Sequence, residues 1–124
     1  MLQETLCSIT ATLKKLNKDN PLVTLDIINS TIDYFSELKR LDVIDPDVFI
    51  DFLDISTELG FSILKSIESI HIIYPYFELF CARCQEYYGS FYSLLDIPFD
   101  DDCDYCDNNL RNSYIKVKFE IIKE

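Results

Sequence analysis

The stretch CARCQEYYGSFYSLLDIPFDDDCDYC, residues 81–106, carries four of the five cysteines of the chain. They form two pairs, Cys81 with Cys84 and Cys103 with Cys106, with two residues inside each pair and eighteen between the pairs. A gap of two lets both sulfurs of one tight turn reach the same ion at about 2.3 Å, and two such turns complete a tetrahedron. The spacing therefore predicts a zinc site made of four cysteines. Because protein would fill all four positions, the predicted zinc is structural and not catalytic.

Other chemistries remain open for these four cysteines. Ordinary buried or free thiols are one alternative, and a redox-active dithiol is another, although neither CARC nor CDYC has the surroundings of a thioredoxin-like motif. Rubredoxin-style iron uses the same four ligands, so iron remains an alternative to zinc. The fifth cysteine, Cys7, lies beside Leu6 in a predicted helix, and we interpret it as a small buried hydrophobic residue.

Residues 71–124 resemble the zinc-ribbon group, including rubredoxin-like modules, at the four paired cysteines and in the segment LDIPFDDDCDYCD around Ile97 and Pro98. In that group two cysteine turns clamp three short strands, so the resemblance implies a three-stranded ribbon. Such turns usually carry glycine after the second cysteine. Here Gln85 and Asp107 occupy those positions. The resemblance identifies no more specific family.

Residues 1–70 show the periodicity of amphipathic helices. Leucine and isoleucine recur at steps of four and three between Leu2 and Leu16, which predicts a first helix. Asn20–Pro21 and Asp45–Pro46 each combine an N-cap residue with proline at the first helical position, so we predict that two further helices begin there. The second is expected to run to about Leu41. The third continues past Gly60, where a break would divide it into two helices.

The second half of the chain has the composition of strands. Aromatic and β-branched residues crowd residues 71–80 and 87–95, with Pro75 expected at a sheet edge or a bulge. Apolar residues alternate with charged ones between Ile115 and Ile121, which predicts a further strand. The predicted fold class is α+β: an N-terminal bundle of three or four helices, residues 1–70, packed on a C-terminal three-stranded zinc ribbon, residues 71–124. At 124 residues the two regions are expected to form one compact domain.

The charge of the chain is strongly acidic. Asp and Glu number 22 against 11 Lys and Arg, for a formal net charge of -11. A negative field repels phosphate backbones, which proteins bind by neutralising them with cations. Direct nucleic-acid binding is therefore disfavoured and a basic protein partner is favoured. The alternative is a zinc-ribbon transcription or nucleic-acid-processing factor, for which Lys116, Lys118 and Lys123 are the candidate contacts.

Four carboxylates, which we call the acidic ridge, recur at helical steps of four, three and four: Asp47, Asp51, Asp54 and Glu58. On one continuous third helix they would share a face, and no cation occurs between Arg40 and Lys65. Like charges at such spacings repel by a few tenths of a kcal/mol per pair. We therefore predict a partner-binding surface there, with an ordinary solvated helix face as the alternative.

Catalytic motifs are missing from the sequence. A single histidine and two glycines cannot supply a Walker loop, a G-x-G-x-x-G turn or a G-x-S-x-G nucleophile elbow with its base. The chain is therefore not expected to be an enzyme. No export signal or long apolar run is present, which predicts a soluble cytoplasmic protein without a membrane partner.

The function predicted from the sequence is that of a non-catalytic, acidic, zinc-binding protein. It would act as an adaptor, immunity protein or inhibitor that engages a basic protein, with nucleic-acid mimicry as one mode. The nucleic-acid factor named above is the first alternative, and a rubredoxin-like electron carrier is a weaker one. The sequence does not indicate the oligomeric state.

Overall fold

The computed structural model describes all residues from 1 to 124 and has the predicted α+β class. The helices are α1 (Gln3–Asp19), α2 (Leu25–Ser36), α3 (Pro46–Leu53) and α4 (Thr57–Ser69). The strands are β1 (Val43–Ile44), β2 (Ile73–Phe80), β3 (Tyr87–Phe91) and β4 (Tyr114–Ile121). They form one antiparallel sheet in the order β1-β4-β2-β3, so the sheet has one strand more than the predicted ribbon. None of the helices combines the length and the apolar character needed to cross a membrane.

The chain divides into two compact units. The helical unit comprises Met1–Tyr74 and Phe119–Glu124, and the ribbon unit comprises Pro75–Lys118. The last residues belong to the helical unit because the end of β4 pairs with β1, with Val43 opposite Glu120. Backbone hydrogen bonds of 2.8 and 2.9 Å join Ile121 to Asp42 and Leu41 and extend this pairing.

Each helix of the helical unit buries one apolar stripe. In α1 the predicted stripe is confirmed at Leu6, Ile9 and Leu13, which are buried, whereas Leu2 at its start is exposed. Further helices contribute fully buried side chains to the same unit; they include Phe35, Phe49, Ile63, Leu64 and Ile67. Burial of such side chains contributes roughly 1.5–3 kcal/mol each, which makes these stripes the main stabilising feature of the unit.

The start predicted for the second helix is wrong. Asn20 instead ends α1, where its N–H donates to the Leu16 carbonyl at 2.8 Å. The chain then turns so that Val23 becomes fully buried, and Thr24 provides the N-cap by accepting the Ile27 N–H at 3.3 Å. The helix also ends at Ser36, before the predicted Leu41. Burial of Val23 therefore outweighed the Asn-Pro signal.

The third helix begins as predicted, since Asp45 caps α3 through the Asp47 N–H at 2.9 Å. A break does divide this region, at Asp54, which has a left-handed φ of 53° and precedes the possible position at Gly60. Ser56 then caps α4 by accepting the Leu59 N–H at 3.1 Å. Gly60, considered as a possible break, lies inside α4, and the sequence had left open whether this region forms one helix or two.

The break also changes the acidic ridge. Asp47 and Asp51 lie on α3, Asp54 is its left-handed C-cap residue and Glu58 lies in the first turn of α4. The expectation that all four carboxylates share the face of one helix is therefore wrong. All four residues are exposed. Their role in partner binding stays a prediction.

The ribbon unit is built on the hairpin of β2 and β3. Phe77 pairs with Phe91 and Leu79 with Gly89, with an irregularity next to Leu79 and not at the predicted Pro75. β3 ends at Phe91, earlier than predicted. The buried core of this unit contains five residues, and two of them are cysteines: Leu79, Cys81, Ile97, Cys103 and Leu110. So small an apolar core supplies little stability by itself, and units of this size usually depend on a metal or a disulfide.

Candidate metal centre

The four paired cysteines lie on two turns of the ribbon unit. The first turn, from Cys81 to Cys84, connects β2 to β3. The second, from Cys103 to Cys106, lies before β4 and is closed by an isolated bridge between Asp102 and Asn109. Each turn thus presents its cysteines from the end of a paired, hydrogen-bonded segment, which restricts where the sulfurs can point.

The two turns have the same backbone hydrogen bonds. The N–H of the first cysteine donates to the carbonyl five residues later, from Cys81 to Glu86 at 3.1 Å and from Cys103 to Asn108 at 2.7 Å. The N–H that follows the second cysteine returns to the carbonyl of the first, at 2.8 Å in the first turn and 2.9 Å in the second. Two segments of unlike sequence therefore form one repeated cysteine turn.

The residue after the second cysteine has a positive φ in both turns, 61° at Gln85 and 60° at Asp107. Zinc-ribbon turns usually carry glycine there, because glycine adopts this region without steric cost. A residue with a Cβ costs roughly 1 kcal/mol in the left-handed region. The turn geometry is therefore kept in this chain without glycine.

The four sulfur atoms converge on one point, since all lie within 4.8 Å of one another. Cys81 Sγ lies 3.6 Å from Cys106 Sγ, and Cys84 Sγ lies 3.7 Å from Cys103 Sγ. Sulfurs at the corners of a zinc tetrahedron are separated by about 3.8 Å, because each Zn–S bond is about 2.3 Å. Both separations are close to that value and far longer than a disulfide bond. The arrangement fits a tetrahedral metal site with four cysteine ligands.

Several N–H groups point at the sulfurs. The backbone N–H of Tyr105 donates to Cys103 Sγ at 3.4 Å, and the side-chain amide of Asn108 donates to Cys106 Sγ at 3.3 Å. Hydrogen bonds from Asn108 lower the pKa of Cys106 to about 6. Backbone N–H groups of Cys84 and Arg83 lower the pKa of Cys81 in the same way. Such donors stabilise thiolates, the form of cysteine that binds metals.

Ionisation of Cys84 is unfavourable without a cation. The backbone N–H of Glu86 acts to lower the pKa of Cys84, but burial and hydrogen bonds with neighbouring thiols, first that of Cys103, outweigh it and raise this pKa to about 12. The close approach of the sulfurs thus opposes a negative charge on Cys84. A divalent metal ion removes this penalty, because its charge stabilises every thiolate that it binds.

The surroundings of the second turn are acidic. Five exposed aspartates lie in or beside it: Asp100, Asp101, Asp102, Asp104 and Asp107. These charges also act on Tyr88, whose pKa is raised first by burial and then by the charges of Asp104 and Asp101. A negative potential raises the local concentration of cations, so this region favours a metal ion over an anionic ligand.

Sequence reasoning selected the four converging cysteines and missed one of their partners. Asn108 donates to a sulfur, and its place two residues beyond the second cysteine is the signal that could have indicated it. The prediction that Cys7 is buried is wrong, because its side chain is exposed on α1, where Gln3 Nε2 lies 3.9 Å from its sulfur.

No protein-family model matches the chain, and it has no significant match among curated proteins or solved structures.

Proposed function

We propose that the protein binds one structural zinc ion through Cys81, Cys84, Cys103 and Cys106. The observation that supports this proposal is the convergence of four sulfurs within 4.8 Å of one another. Zinc matches a ligand set of four thiolates, and with every position filled by protein no site is left for a water. The ion would link the two cysteine turns and complete the small core of the ribbon unit. Iron is the alternative metal, since it takes the same ligands.

Protein purified without added metal is expected to contain one zinc per chain. Elemental analysis measures this content. Chelation of the metal should expose four additional reactive thiols, which a thiol assay before and after chelation would count. Cys7, which is exposed, reacts in both states and serves as the internal reference. Less than about 0.2 zinc per chain would contradict the proposal for a site of ordinary zinc affinity, and iron in its place would assign the site to the alternative metal.

We further propose that the protein is a non-catalytic binding protein, an adaptor or inhibitor, for a basic protein partner. The formal net charge of -11 supports a cationic partner. The nucleic-acid alternative depends on lysines of β4 that have neighbours within the chain. Lys116 Nζ lies 5.1 Å from the ring centre of Phe80, and Lys118 Nζ lies 3.9 Å from Glu78 Oε1. The ion pair of Lys118 partly neutralises one of the three candidate lysines, which leaves less positive charge for phosphates and favours the protein partner.

A partner identified by co-purification and mass spectrometry is expected to be basic, and its association rate is expected to fall steeply with salt. Complementary charge acts mainly on the encounter rate, which screening reduces when the Debye length shortens from about 30 Å at 0.01 M to about 8 Å at 0.15 M salt. Stopped-flow or surface-based kinetics with the purified partner at these two ionic strengths measures this. An acidic partner, or an association rate independent of salt, would contradict the proposal.

A further inference from the structure

An open groove lies in the helical unit beside the C-terminal ends of α2 and α3. Its volume is about 470 Å³, and it is lined by Asp33, Tyr34, Glu37, Leu38 and Phe52. The lining has two parts, an aromatic and aliphatic floor and a pair of acidic side chains. All five residues belong to the helical unit.

The floor of the groove is a set of aromatic rings held in fixed positions. The ring centre of Tyr34 lies 5.3 Å from that of Phe52 and 5.0 Å from that of the fully buried Phe49. Phe52 itself remains 56% exposed, whereas Phe49 on the same helix is fully buried. Burial and the charge of Asp45 both raise the pKa of Tyr34, so its phenol stays neutral at physiological pH. The groove therefore presents uncharged aromatic faces to the solvent.

The rim of the groove carries two carboxylates at the end of α2. Asp33 and Glu37 are exposed, lie four residues apart and form no salt bridge. The last turn of α2 contains no basic residue, and the exposed Lys39 and Arg40 that follow the helix form no ion pair with either carboxylate. Negative charge is unfavourable at a helix C-terminus, where the backbone carbonyls already concentrate a partial negative charge, and two like charges at this spacing also repel. A bound cation would relieve both penalties.

We propose that this groove binds an arginine side chain of the basic protein partner. The inference depends on the proposed function and adds the place and the chemistry of recognition. A guanidinium group stacks on aromatic faces such as those of Tyr34 and Phe52, and its planar fork can donate to two carboxylates at once. A lysine ammonium offers neither the planar face nor the fork. Arginine is therefore the cation that matches both parts of the groove.

The direct probe is the peptide acetyl-Leu-Arg-Leu-amide, compared with the same peptide containing citrulline, a neutral isostere of arginine. Titrations of the full-length, metal-loaded protein followed by ¹H–¹⁵N NMR are expected to shift the amide signals of Tyr34, Leu38 and Phe52. The citrulline peptide is expected to shift them much less, since it lacks the charge. Tripeptide binding is expected to be weak, and its position on the protein is the informative result.

Two pairs of variants separate the groove from general attraction to an acidic protein. Phe52→Ala is expected to weaken arginine-peptide binding about fivefold, and the matched control Leu25→Ala, which removes another exposed apolar side chain, less than about twofold. Glu37→Gln is expected to weaken binding by a similar factor, whereas Glu58→Gln, the same charge change on the acidic ridge, is not. Because Glu37 and Glu58 are both exposed, neither substitution should affect folding.

Each alternative outcome overturns the groove proposal in a different way. Shifts confined to the acidic ridge would place the cation there and leave the proposal of a basic partner intact. Equal weakening by Phe52→Ala and Leu25→Ala, or no shift with the arginine peptide, would reject the groove as a binding site. Groove signals that shift with protein concentration in the absence of peptide would identify a second copy of the chain as the occupant. The salt dependence of the co-purified partner tests the proposed function separately.

Discussion

Cys103→Ser is expected to lower the free energy of unfolding of the metal-loaded protein by more than about 4 kcal/mol, the range seen when a structural metal is lost. Cys103 is 1% exposed and is one of the five buried residues in the core of the ribbon unit. The substitution removes a proposed metal ligand and places a hydroxyl in an apolar site. Thermal denaturation of wild type and variant, with elemental analysis of both, measures the effect.

Cys7→Ser is the matched control for this substitution. Its side chain is exposed on α1 and it belongs to the helical unit, not to the ribbon unit that holds the other four cysteines, so its effect is expected to stay within about 0.5 kcal/mol. A zinc chelator should lower the melting temperature of the wild type and of Cys7→Ser. It should leave the melting temperature of Cys103→Ser nearly unchanged, because this variant has already lost a metal ligand. Small and equal melting shifts for the two cysteine variants would mean that the site has no structural role.

Gly60→Ala is expected to destabilise the protein by about 1–3 kcal/mol, the usual effect of overpacking a buried site. A Cβ atom at Gly60 would lie 2.3 Å from Ile50 Cγ1 and 2.9 Å from Ile50 Cδ1. Ile50 on α3 is only 8% exposed, so it has little room to move away. The steric effect is expected to exceed the gain of about 1 kcal/mol that alanine normally brings to a helix. Urea denaturation measures the difference.

The same substitution in an Ile50→Ala background provides the control. Removing the side chain beyond Cβ removes the two atoms that clash and leaves Ile50 Cβ at 3.6 Å, an ordinary contact, so Gly60→Ala should there be neutral or stabilising. A double-mutant cycle reports the contact as a coupling free energy between the two positions. Equal destabilisation in both backgrounds, or stabilisation of the wild type by Gly60→Ala, would show that the contact between α3 and α4 does not require glycine.

Gly60 also shows why a local signal was misleading. Glycine inside a helical pattern is unfavourable by propensity, and this suggested a break at Gly60. The structure uses the glycine for close approach of two helices, which is a contact between residues ten positions apart. The real break depends on Asp54 in the left-handed region and on Ser56 as the next N-cap. Both residue types suit these roles, but many other positions in the chain carry the same residues.

Asn20 was predicted incorrectly for a similar reason. Asn-Pro is a common helix start, but the same asparagine also suits the end of a helix. The choice depended on whether Val23 could be buried, since a turn between α1 and α2 places this side chain in the core at 0% exposure. Burial is decided by distant parts of the chain, so no local window of sequence contains this information.

The groove was not predicted at all. Asp33 and Glu37 are ordinary surface residue types, and Phe52 fits the apolar pattern of the third helix. Only the packing of Tyr34 between Phe35, Phe49 and Phe52 leaves one ring exposed beside two carboxylates. A surface of this kind is made by two helices together, and neither helix contains it alone.

The sequence by itself determined the α+β class, the first helix, the last strand and the four cysteines that converge. These features depend on short-range patterns: apolar periodicity sets a helix or strand, and a gap of two residues places two sulfurs on one turn. Tertiary structure alone decided the added strand β1, the division of the acidic ridge between two helices, the exposure of Cys7 and the groove. The physical reason is that these features depend on contacts that no short pattern contains, such as the pairing of Val43 with Glu120 and the packing of Gly60 against Ile50.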